Sequence, residues 1–334
     1  MTRLKDIAAA AGVSVSTVSK ALNNSREINE ETRARIVRIA RELNYNLASL
    51  QTTAVSSKNR TIGVICPEIN SNYYTQLISS IGRQIARKGY SYTIAVSDFE
   101  RRKEVDFLEM FGRQPVDGIV LVTESNDIQG TVGGVKDIWH TPLVLIASED
   151  DVSNYDCLHI DDAFGVSTAI SHLIRLGHTR IAYIGDKLTE GRLAAYRDSL
   201  RKNKLDVDSA LIVTAEQRFE KGGHLGMQAL LKNRQRPSAV FAAYDDMAIG
   251  AMRAISEAGL TIPDDISLIG MDDVFVSPYL CKALTTVSNP IREMAMVSLS
   301  ILFRKIEDSS FTVVQNVVLK PSLVVRETTG PCKT

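Results

Sequence analysis

The sequence of 334 residues predicts a small all-α domain followed by an α/β body of two doubly wound parallel sheets. Apolar residues recur with helical spacing in residues 1–45, whereas from Thr61 onward short apolar runs alternate with amphipathic segments. This alternation continues over about 230 residues, more than one open sheet usually carries, so two sheets are expected. With 44% hydrophobic and 23% charged residues, the composition indicates neither a disordered nor a fibrous protein.

The pattern of residues 1–45 predicts three short helices. The first helix has an apolar stripe at positions i, i+3, i+4 and i+7: Leu4, Ile7, Ala8 and Ala11. Gly12 ends this helix, because glycine enters a left-handed turn without steric cost, and Ser14 is placed to cap the next helix. A third helix is expected after Asn29, with acidic residues in its first turn. Its inward side chains are predicted to be Ile36, Ile39, Ala40 and Leu43.

The second helix has two contrasting faces. Val18, Ala21 and Leu22 are spaced to face a core. The opposite stripe is small or polar and follows Val15 at the exposed start: Ser16, Ser19, Lys20 and Asn23. A helix, a glycine turn and a helix with such a face are typical of a helix-turn-helix unit, whose second helix enters the major groove of DNA.

The charge distribution agrees with a polyanionic partner for the N-terminal domain. Residues 1–60 hold ten basic and five acidic side chains, although the whole chain carries 39 of each. The N-terminal segment is therefore basic and the remainder acidic by the same amount, which favours a nucleic-acid-binding module attached to a body that does not bind DNA. Residues 46–60 are polar and weakly patterned, as expected of a linker.

The body shows strands and helices in alternation. Seven segments are typical of strands buried on both faces: TIGVICP, YTIAVSD, VDGIVLVT, PLVLIAS, RIAYIGD, AVFAAYD and ISLIGMDD. Four segments between them have helical patterns: YYTQLISSIGRQIARKG, FGVSTAISHLIRLG, GGHLGMQALLKN and DDMAIGAMRAISEAG. Ligands of such folds bind at the carboxyl ends of the strands, here in the cleft between the two sheets.

Several classes of site are disfavoured. The four cysteines are far apart and form no C-x-x-C pair, so neither a disulfide framework nor a zinc knuckle is expected. His172 and His178 lack the i, i+4 spacing of metal ligands, and we expect no metal and no cofactor. We find no export signal and no run of about 18 apolar residues, which predicts a cytoplasmic protein without a membrane span.

The segment LKDIAAAAGVSVSTVSKALNNSREINEETRARIVRIARELNY closely resembles the N-terminal signature of the lactose-repressor (LacI/GalR) family. The resemblance continues through TIGVICPEI, HLIRLGHTRIAYIGD, PDDISLIGMDD and LTTVSNPIREMA to PSLVVRET, and so covers nearly the whole chain. It implies a homodimeric transcription factor whose α/β body resembles periplasmic sugar-binding proteins. The implied domains are a helix-turn-helix domain (1–45), a hinge (46–60) and an effector-binding and dimerisation domain (61–330). Lobe 1 would comprise about 61–160 plus 291–320, and lobe 2 about 161–290 plus 321–330.

The resemblance assigns roles along the second helix. Val15 and Ser16 correspond to the base-reading pair, with Lys20 one turn further on. A lysine donates to guanine O6 or N7, whereas valine offers only apolar contact, for instance to a thymine methyl group. Phosphate contacts, which fix the register on DNA, are implied for Ser14, Thr17, Ser19 and Asn23. For each serine, capping or simple solvation is the alternative.

The linker departs from the family pattern Y-x-P-N-x-x-A-R-x-L, in which a hinge helix wedges its leucine between base steps. Counted from Tyr45, this chain has Thr52 at the arginine and Ala54 at the wedge. Alanine has too little bulk to hold bases apart, and threonines are poor helix formers. Either Leu50 or Val55 acts as the wedge in a shifted register, or the protein bends its operator less; we favour weaker bending.

Effector contacts are implied for six side chains of the body. Tyr73 and Tyr74 follow the first strand, and Arg192 lies in an R-x-x-x-Y motif. Phe219 corresponds to an aromatic residue that stacks on the ligand, and Asp272 to a carboxylate that accepts ligand hydroxyls. Two sites depart from sugar-binding relatives: Ala147 and Ser148 replace an aspartate and an arginine, and Tyr244 replaces an asparagine. The ligand's identity, including whether it is a free sugar, is left open.

Three functions account for parts of this pattern. A regulator whose affinity for a palindromic DNA operator is set by a small, carbohydrate-related effector fits best, and repression is favoured over activation. A solute-binding protein for transport has the same body but needs export and no basic helix-turn-helix. An enzyme is disfavoured, because the chain lacks a P-loop and the G-x-S-x-G, H-E-x-x-H and G-x-G-x-x-G motifs in a suitable context.

Overall fold

The computed structural model describes residues 4–22, 28–43, 59–125, 127–135, 138, 141–147 and 154–333. Two compact units divide the chain, Met1–Lys58 and Asn59–Thr334. The first contains only helices among its described residues, and the second contains two six-stranded sheets. The predicted fold class, an all-α domain and an α/β body with two parallel sheets, is confirmed.

The N-terminal unit contains helices α1 (Leu4–Ala11), α2 (Val15–Leu22) and α3 (Glu30–Glu42). Its core joins one apolar face of each helix and includes Ile7, Val18 and Ile36, all fully buried. Gly12 has a φ of 62°, as predicted, and the backbone N–H of Val13 donates to the Ala8 carbonyl to close the end of α1. The prediction that Leu43 faces inward is wrong: it follows the last turn of α3 and is 37% exposed.

Lobe 1 of the body is built on a fully parallel sheet of order β2-β1-β3-β4-β5-β11. Its strands are β1 (Thr61–Cys66), β2 (Ser91–Val96), β3 (Gly118–Thr123), β4 (Leu143–Ala147), β5 (Asp156–Ile160) and β11 (Asn316–Leu319). Its helices are α4 (Asn72–Arg87), α5 (Arg101–Arg113), α6 (Ile128–Val132) and α11 (Ile291–Glu307). Every residue of β3 is buried, as expected of a strand covered by helices on both faces.

Lobe 2 repeats the arrangement with the order β7-β6-β8-β9-β10-β12, in which only the β10–β12 pair is antiparallel. Its strands are β6 (Ile181–Gly185), β7 (Ile212–Thr214), β8 (Ala239–Ala242), β9 (Ser267–Met271), β10 (Thr285–Ser288) and β12 (Ser322–Val324). Its helices are α7 (Asp162–Arg175), α8 (Glu190–Lys202), α9 (Phe219–Leu231) and α10 (Asp245–Glu257).

The chain passes between the lobes three times. The crossings lie between β5 and α7, between β10 and α11, and between β11 and β12. All seven strands and all four helices predicted for the body are present. The strands that sequence reasoning missed are short or partly exposed: β5, β7, β10, β11 and β12.

Helices α9 and α10 approach each other closely because each presents glycine to the other. A side-chain methyl on Gly223 would overlap the Met247 carbonyl, and one on Gly250 would overlap the Glu220 carbonyl. Both obstacles are backbone atoms, which cannot rotate out of the way. This close packing fixes the first turns of both helices, next to the strand ends where ligands of such folds bind.

We expect the substitution Gly250→Ala to lower the free energy of unfolding of the body by about 2 kcal/mol, because the added methyl group forces two backbones apart. Urea unfolding followed by circular dichroism measures this. Gly191→Ala in α8 is the matched control, since a methyl group there meets nothing within 4 Å. The control should be neutral or stabilising by up to about 1 kcal/mol. Equal stability of the two variants would contradict the packing argument.

Candidate functional sites

The second helix of the N-terminal unit presents one face to solvent and the other to the core. Val18 and Ala21 are buried, whereas Val15 is 46% exposed and Ser16 and Lys20 are exposed. The α2 stripe that was predicted to read DNA, Val15, Ser16 and Lys20, is therefore accessible. Asn23 lies outside the described residues, as do the hinge candidates Leu50, Ala54 and Val55.

Ser14 caps α2. Its Oγ accepts a hydrogen bond from the backbone N–H of Thr17 at 3.0 Å and lies 2.8 Å from the Thr17 Oγ1. The capping interpretation of Ser14 is confirmed. Ser19 is partly buried on the same helix. The cap fixes where α2 begins and hence which side chains stand at its exposed start.

In the body, Arg192 is the centre of a polar cluster at the carboxyl ends of the lobe 2 strands. Its Nε donates to Asp162 Oδ2 at 2.7 Å, and its Nη1 donates to the Ala243 carbonyl at 2.5 Å. Its Nη2 lies 3.5 Å from Asp272 Oδ1, and the guanidinium carbon is 5.3 Å from the centre of the Tyr244 ring. Of the six predicted effector residues, Arg192 thus contacts two others, Tyr244 and Asp272.

Asp272 has an unusual backbone conformation, with a φ of 112°, directly after β9. Its carboxylate is almost fully buried and also accepts a hydrogen bond from Asn289 Nδ2 at 3.0 Å. Burial raises the pKa of Asp272 well above its ordinary value, while the Arg192 guanidinium acts in the opposite direction. A ligand hydroxyl that reached this carboxylate would meet a partner already oriented by two donors.

Asp245, at the start of α10, holds the loop that carries Asp272. Its carboxylate accepts hydrogen bonds from the Val274 N–H at 3.0 Å, from Ser277 Oγ at 2.6 Å and from Thr286 Oγ1 at 2.6 Å. Burial raises the pKa of Asp245 to about 7, and these hydrogen bonds oppose the rise. No local pattern singles out this carboxylate, because its three partners lie 29 to 41 residues away.

Tyr73 and Tyr74 lie in the first turn of α4, which Ser71 caps. Their rings meet edge to face with centroids 5.1 Å apart, and the Tyr74 hydroxyl donates to Glu124 Oε1 at 2.6 Å. The Tyr74 ring also contacts Phe99, which follows β2 with a φ of 60°. Burial raises the pKa of both tyrosines, so their hydroxyls stay protonated and act as donors.

Arg218, which sequence reasoning missed, connects Phe219 to the rest of the cleft. Its guanidinium carbon lies 4.8 Å from the centre of the Phe99 ring and 4.5 Å from that of Phe219. Its Nη1 donates to Glu68 Oε2 at 2.9 Å, and its Nε donates to Asp186 Oδ2 at 3.3 Å. The only signal in the sequence was its position directly before Phe219.

Polar contacts cross the cleft between the lobes. They include the Arg218–Glu68 ion pair and the hydrogen bond from Asn72 Nδ2 to Asp246 Oδ1 at 2.6 Å. A separate pocket of about 700 Å³ lies between α4, the loop after β9 and the crossing segments. Of the six predicted effector residues, Asp272 alone lines it.

His172 and His178, which lie close together in the sequence, have structural partners. His178 Nε2 lies 3.1 Å from Ser267 Oγ and 3.0 Å from the Gly330 carbonyl, and His172 Nε2 lies 3.1 Å from Thr329 Oγ1. The described part of the chain contains no cluster of three potential metal ligands. Among the same residues, no helix has the length and apolar character needed to cross a membrane.

Comparisons with known proteins match the N-terminal unit and the body to two different families. Residues 3–46 match the family of bacterial regulatory proteins, lacI family, and residues 170–329 match the periplasmic binding protein-like domain. The chain is 31% identical to the HTH-type transcriptional regulator DegA of Bacillus subtilis (strain 168), over 100% of this chain and 99% of that protein.

Two solved structures have the same fold. The lac repressor dimer bound to operator and the anti-inducer ONPF is 26% identical, with a TM-score of 0.72 and coverage of 98% of this chain and 99% of that one. A LacI family transcriptional regulator from Enterococcus faecium with bound ribose is 25% identical, with a TM-score of 0.72 and coverage of 82% and 100%.

A helix-turn-helix unit joined to a two-lobed α/β body defines a DNA-binding transcriptional regulator controlled by a small effector. The chain belongs to the lacI family of bacterial regulatory proteins. The resemblance inferred from its motifs is confirmed.

Asp245 should make the stability of the body depend on pH. Because its pKa is about 7 in the folded protein and 3.8 ordinarily, the folded state binds this proton more tightly than the unfolded chain. The stabilisation is therefore complete below about pH 4 and is lost as the pH rises through 7. We expect the free energy of unfolding of the wild type, relative to Asp245→Asn, to fall by about 2 to 3 kcal/mol between pH 5 and 8.

Urea unfolding at several pH values tests this. Asp264→Asn is the control, because Asp264 is exposed and pairs only with Lys333 on the surface. Parallel stability curves for the wild type and Asp245→Asn would contradict the expectation.

Proposed function

We propose that the protein is a repressor that binds a palindromic operator as a homodimer. Its affinity for the operator changes when an uncharged, sugar-like effector binds between the lobes. The observation that carries this proposal is the exposed stripe of α2, Val15, Ser16 and Lys20, on a helix whose other face is buried in a helix-turn-helix core. The lac repressor structure, a dimer on its operator, supports the dimeric arrangement. Operator binding would place its action in the cytoplasm and give it no catalytic task.

The side chains of α2 divide into two proposed roles. Ser16 and Lys20 reach base edges, and Val15 makes an apolar contact in the major groove. Ser14, Thr17 and Ser19 contact phosphates, and the N-cap orients the first two. Asn23 would extend the phosphate contacts, and the hinge proposal for Leu50, Ala54 and Val55 stands on the sequence alone.

The charges in the cleft favour an effector without a phosphate group. Arg192 and Arg218 each pair with two carboxylates. Arg192 pairs with Asp162 and Asp272, and Arg218 pairs with Glu68 and Asp186. Glu124 and Asp246 add further carboxylates to the cleft, and these accept hydrogen bonds from the Tyr74 hydroxyl and the Asn72 side-chain amide. Carboxylates accept hydrogen bonds from hydroxyl groups, whereas a phosphate would be repelled. The aromatic side chains Tyr73, Phe219 and Tyr244 supply apolar surfaces for a sugar face.

The alternative, a solute-binding protein for transport, accounts for the body but not for the N-terminal unit. Residues 3–46 match a family of DNA-binding regulators, and the exposed α2 stripe would have no task in transport. No observation favours it over regulation.

Selection of bound DNA from a random pool, with and without sugars, tests the proposed function. We expect one palindrome to be enriched, and its yield to change with an uncharged sugar among ribose and glucose but not with the corresponding 5- or 6-phosphate. Arg192→Gln should abolish the response while retaining DNA binding, and Arg197→Gln, an exposed arginine of the same helix, should retain both. Failure to enrich any sequence would overturn the regulatory function. A response to the phosphate alone would overturn the effector class.

Lys20→Ala should reduce affinity for the selected operator by about 10-fold to 100-fold, while affinity for scrambled DNA falls much less, because a lysine on a guanine edge contributes about 1 to 3 kcal/mol of discrimination. Bandshift titration at one fixed salt concentration measures both affinities. Lys202→Ala, at an exposed position of α8, removes the same charge from the body and should change neither. Equal losses on operator and scrambled DNA would reduce Lys20 to a phosphate contact.

A further inference from the structure

Arg218 is placed between the two lobes. It immediately precedes α9 of lobe 2, yet its strongest partner, Glu68, follows β1 of lobe 1. Phe99, also of lobe 1, and Phe219 of lobe 2 both lie within 5 Å of its guanidinium carbon. One side chain therefore holds an ion pair and an aromatic contact across the cleft, and a second ion pair and aromatic contact within its own lobe.

The pair is shielded from water. The Arg218 side chain is 22% exposed and that of Glu68 is 10% exposed. Solvent screens such a pair less than a surface pair, and removal of one partner leaves the other as an uncompensated, shielded charge, which is costly. The second oxygen of Glu68, Oε1, is buried and has no hydrogen-bond partner in the described part of the chain. Without Arg218, Glu68 would be a nearly buried carboxylate that has lost its ion-pair partner.

The backbone around this pair is held in conformations that side chains rarely adopt. Phe99 has a φ of 60° and Phe219 a φ of 58°. Such conformations cost about 1 to 3 kcal/mol each and persist where the surroundings fix them, which is common at binding sites. Both residues are aromatic partners of Arg218, so two of the left-handed positions of the body lie where the lobes meet.

We propose that Arg218 is the positioning residue that sets the closure of the effector cleft, by pairing with Glu68 across the lobes. The assignment of the cleft to an effector rests on the proposed function, but the closure itself does not. When the pair is intact the lobes are held together, and Glu68 Oε1 is left to accept a hydrogen bond from a ligand hydroxyl. When the pair is broken, this link between the lobes is lost and the open form gains population.

The test is the ratio of closed to open molecules without ligand, measured by single-molecule energy transfer in the full chain. Dyes are attached at the exposed positions Arg102→Cys in lobe 1 and Lys202→Cys in lobe 2. The accessible Cys281 and Cys332 are first replaced by serine. Labelled chains are mixed with an excess of unlabelled chain, so that at most one subunit of a dimer carries dyes.

We expect Arg218→Gln and Glu68→Gln each to lower the closed-to-open ratio by about fivefold or more, and the double variant to lower it no further, because the two changes remove one interaction. Arg218→Lys should retain most of the closed population, since it keeps the charge. Arg253→Gln, which breaks an exposed ion pair with Glu257 inside α10, is the control and should match the wild type.

Wild-type ratios in both single variants would overturn the proposal. So would additive losses in the double variant, or a loss in Arg218→Lys as large as in Arg218→Gln. Circular dichroism confirms that each variant is folded. This measurement uses no ligand and therefore tests closure by itself. If DNA binding by the protein responded to none of the sugars, only the effector proposal would be refuted.

Discussion

The buried charge of Arg192 is the constraint on which the proposed effector half-site in lobe 2 depends. Its guanidinium links the beginning of α7, through Asp162, to the ends of β8 and β9, through the Ala243 carbonyl and Asp272. Removing a guanidinium and two carboxylates from water costs several kcal/mol per ion, and the cost is recovered only when every partner is in place. The loop after β9 must therefore be held in one conformation, and Asp245 holds it with three hydrogen bonds.

The two halves of the cleft are organised differently as a result. In lobe 2, Arg192, Asp245 and Asp272 form a network whose members all belong to one lobe or its adjoining segments, so it is rigid whether or not the lobes are closed. The contacts of Arg218 and Asn72 cross between the lobes and exist only while the lobes are close. A ligand that binds the rigid half and also replaces or reinforces the crossing contacts would shift the balance between open and closed forms. Differential contacts of this kind are what couples a ligand to a conformational change.

The N-terminal unit achieves its function with a much smaller core. Seven buried apolar residues, mostly alanine and isoleucine, hold three short helices, and the cap at Ser14 fixes the start of α2. The cap engages the side chains of Ser14 and Thr17, whereas Val15, Ser16 and Lys20 are exposed along α2. The basic charge of this unit and the acidic charge of the body keep DNA affinity confined to the end of the chain that presents α2.

The sequence by itself determined the class of fold, the helix-turn-helix unit, the buried central strands and the family. These features depend on local periodicity, on glycine and serine at helix ends and on extended motifs, all of which are read along the chain. It also identified Arg192, Tyr244 and Asp272, which the structure brings into contact. Only the tertiary structure decided the role of Asp245, whose partners are distant in sequence, and the position of Arg218 against Glu68, 150 residues away. Such contacts depend on how two sheets face each other and on left-handed backbone at Phe99 and Phe219, neither of which leaves a local pattern in the sequence.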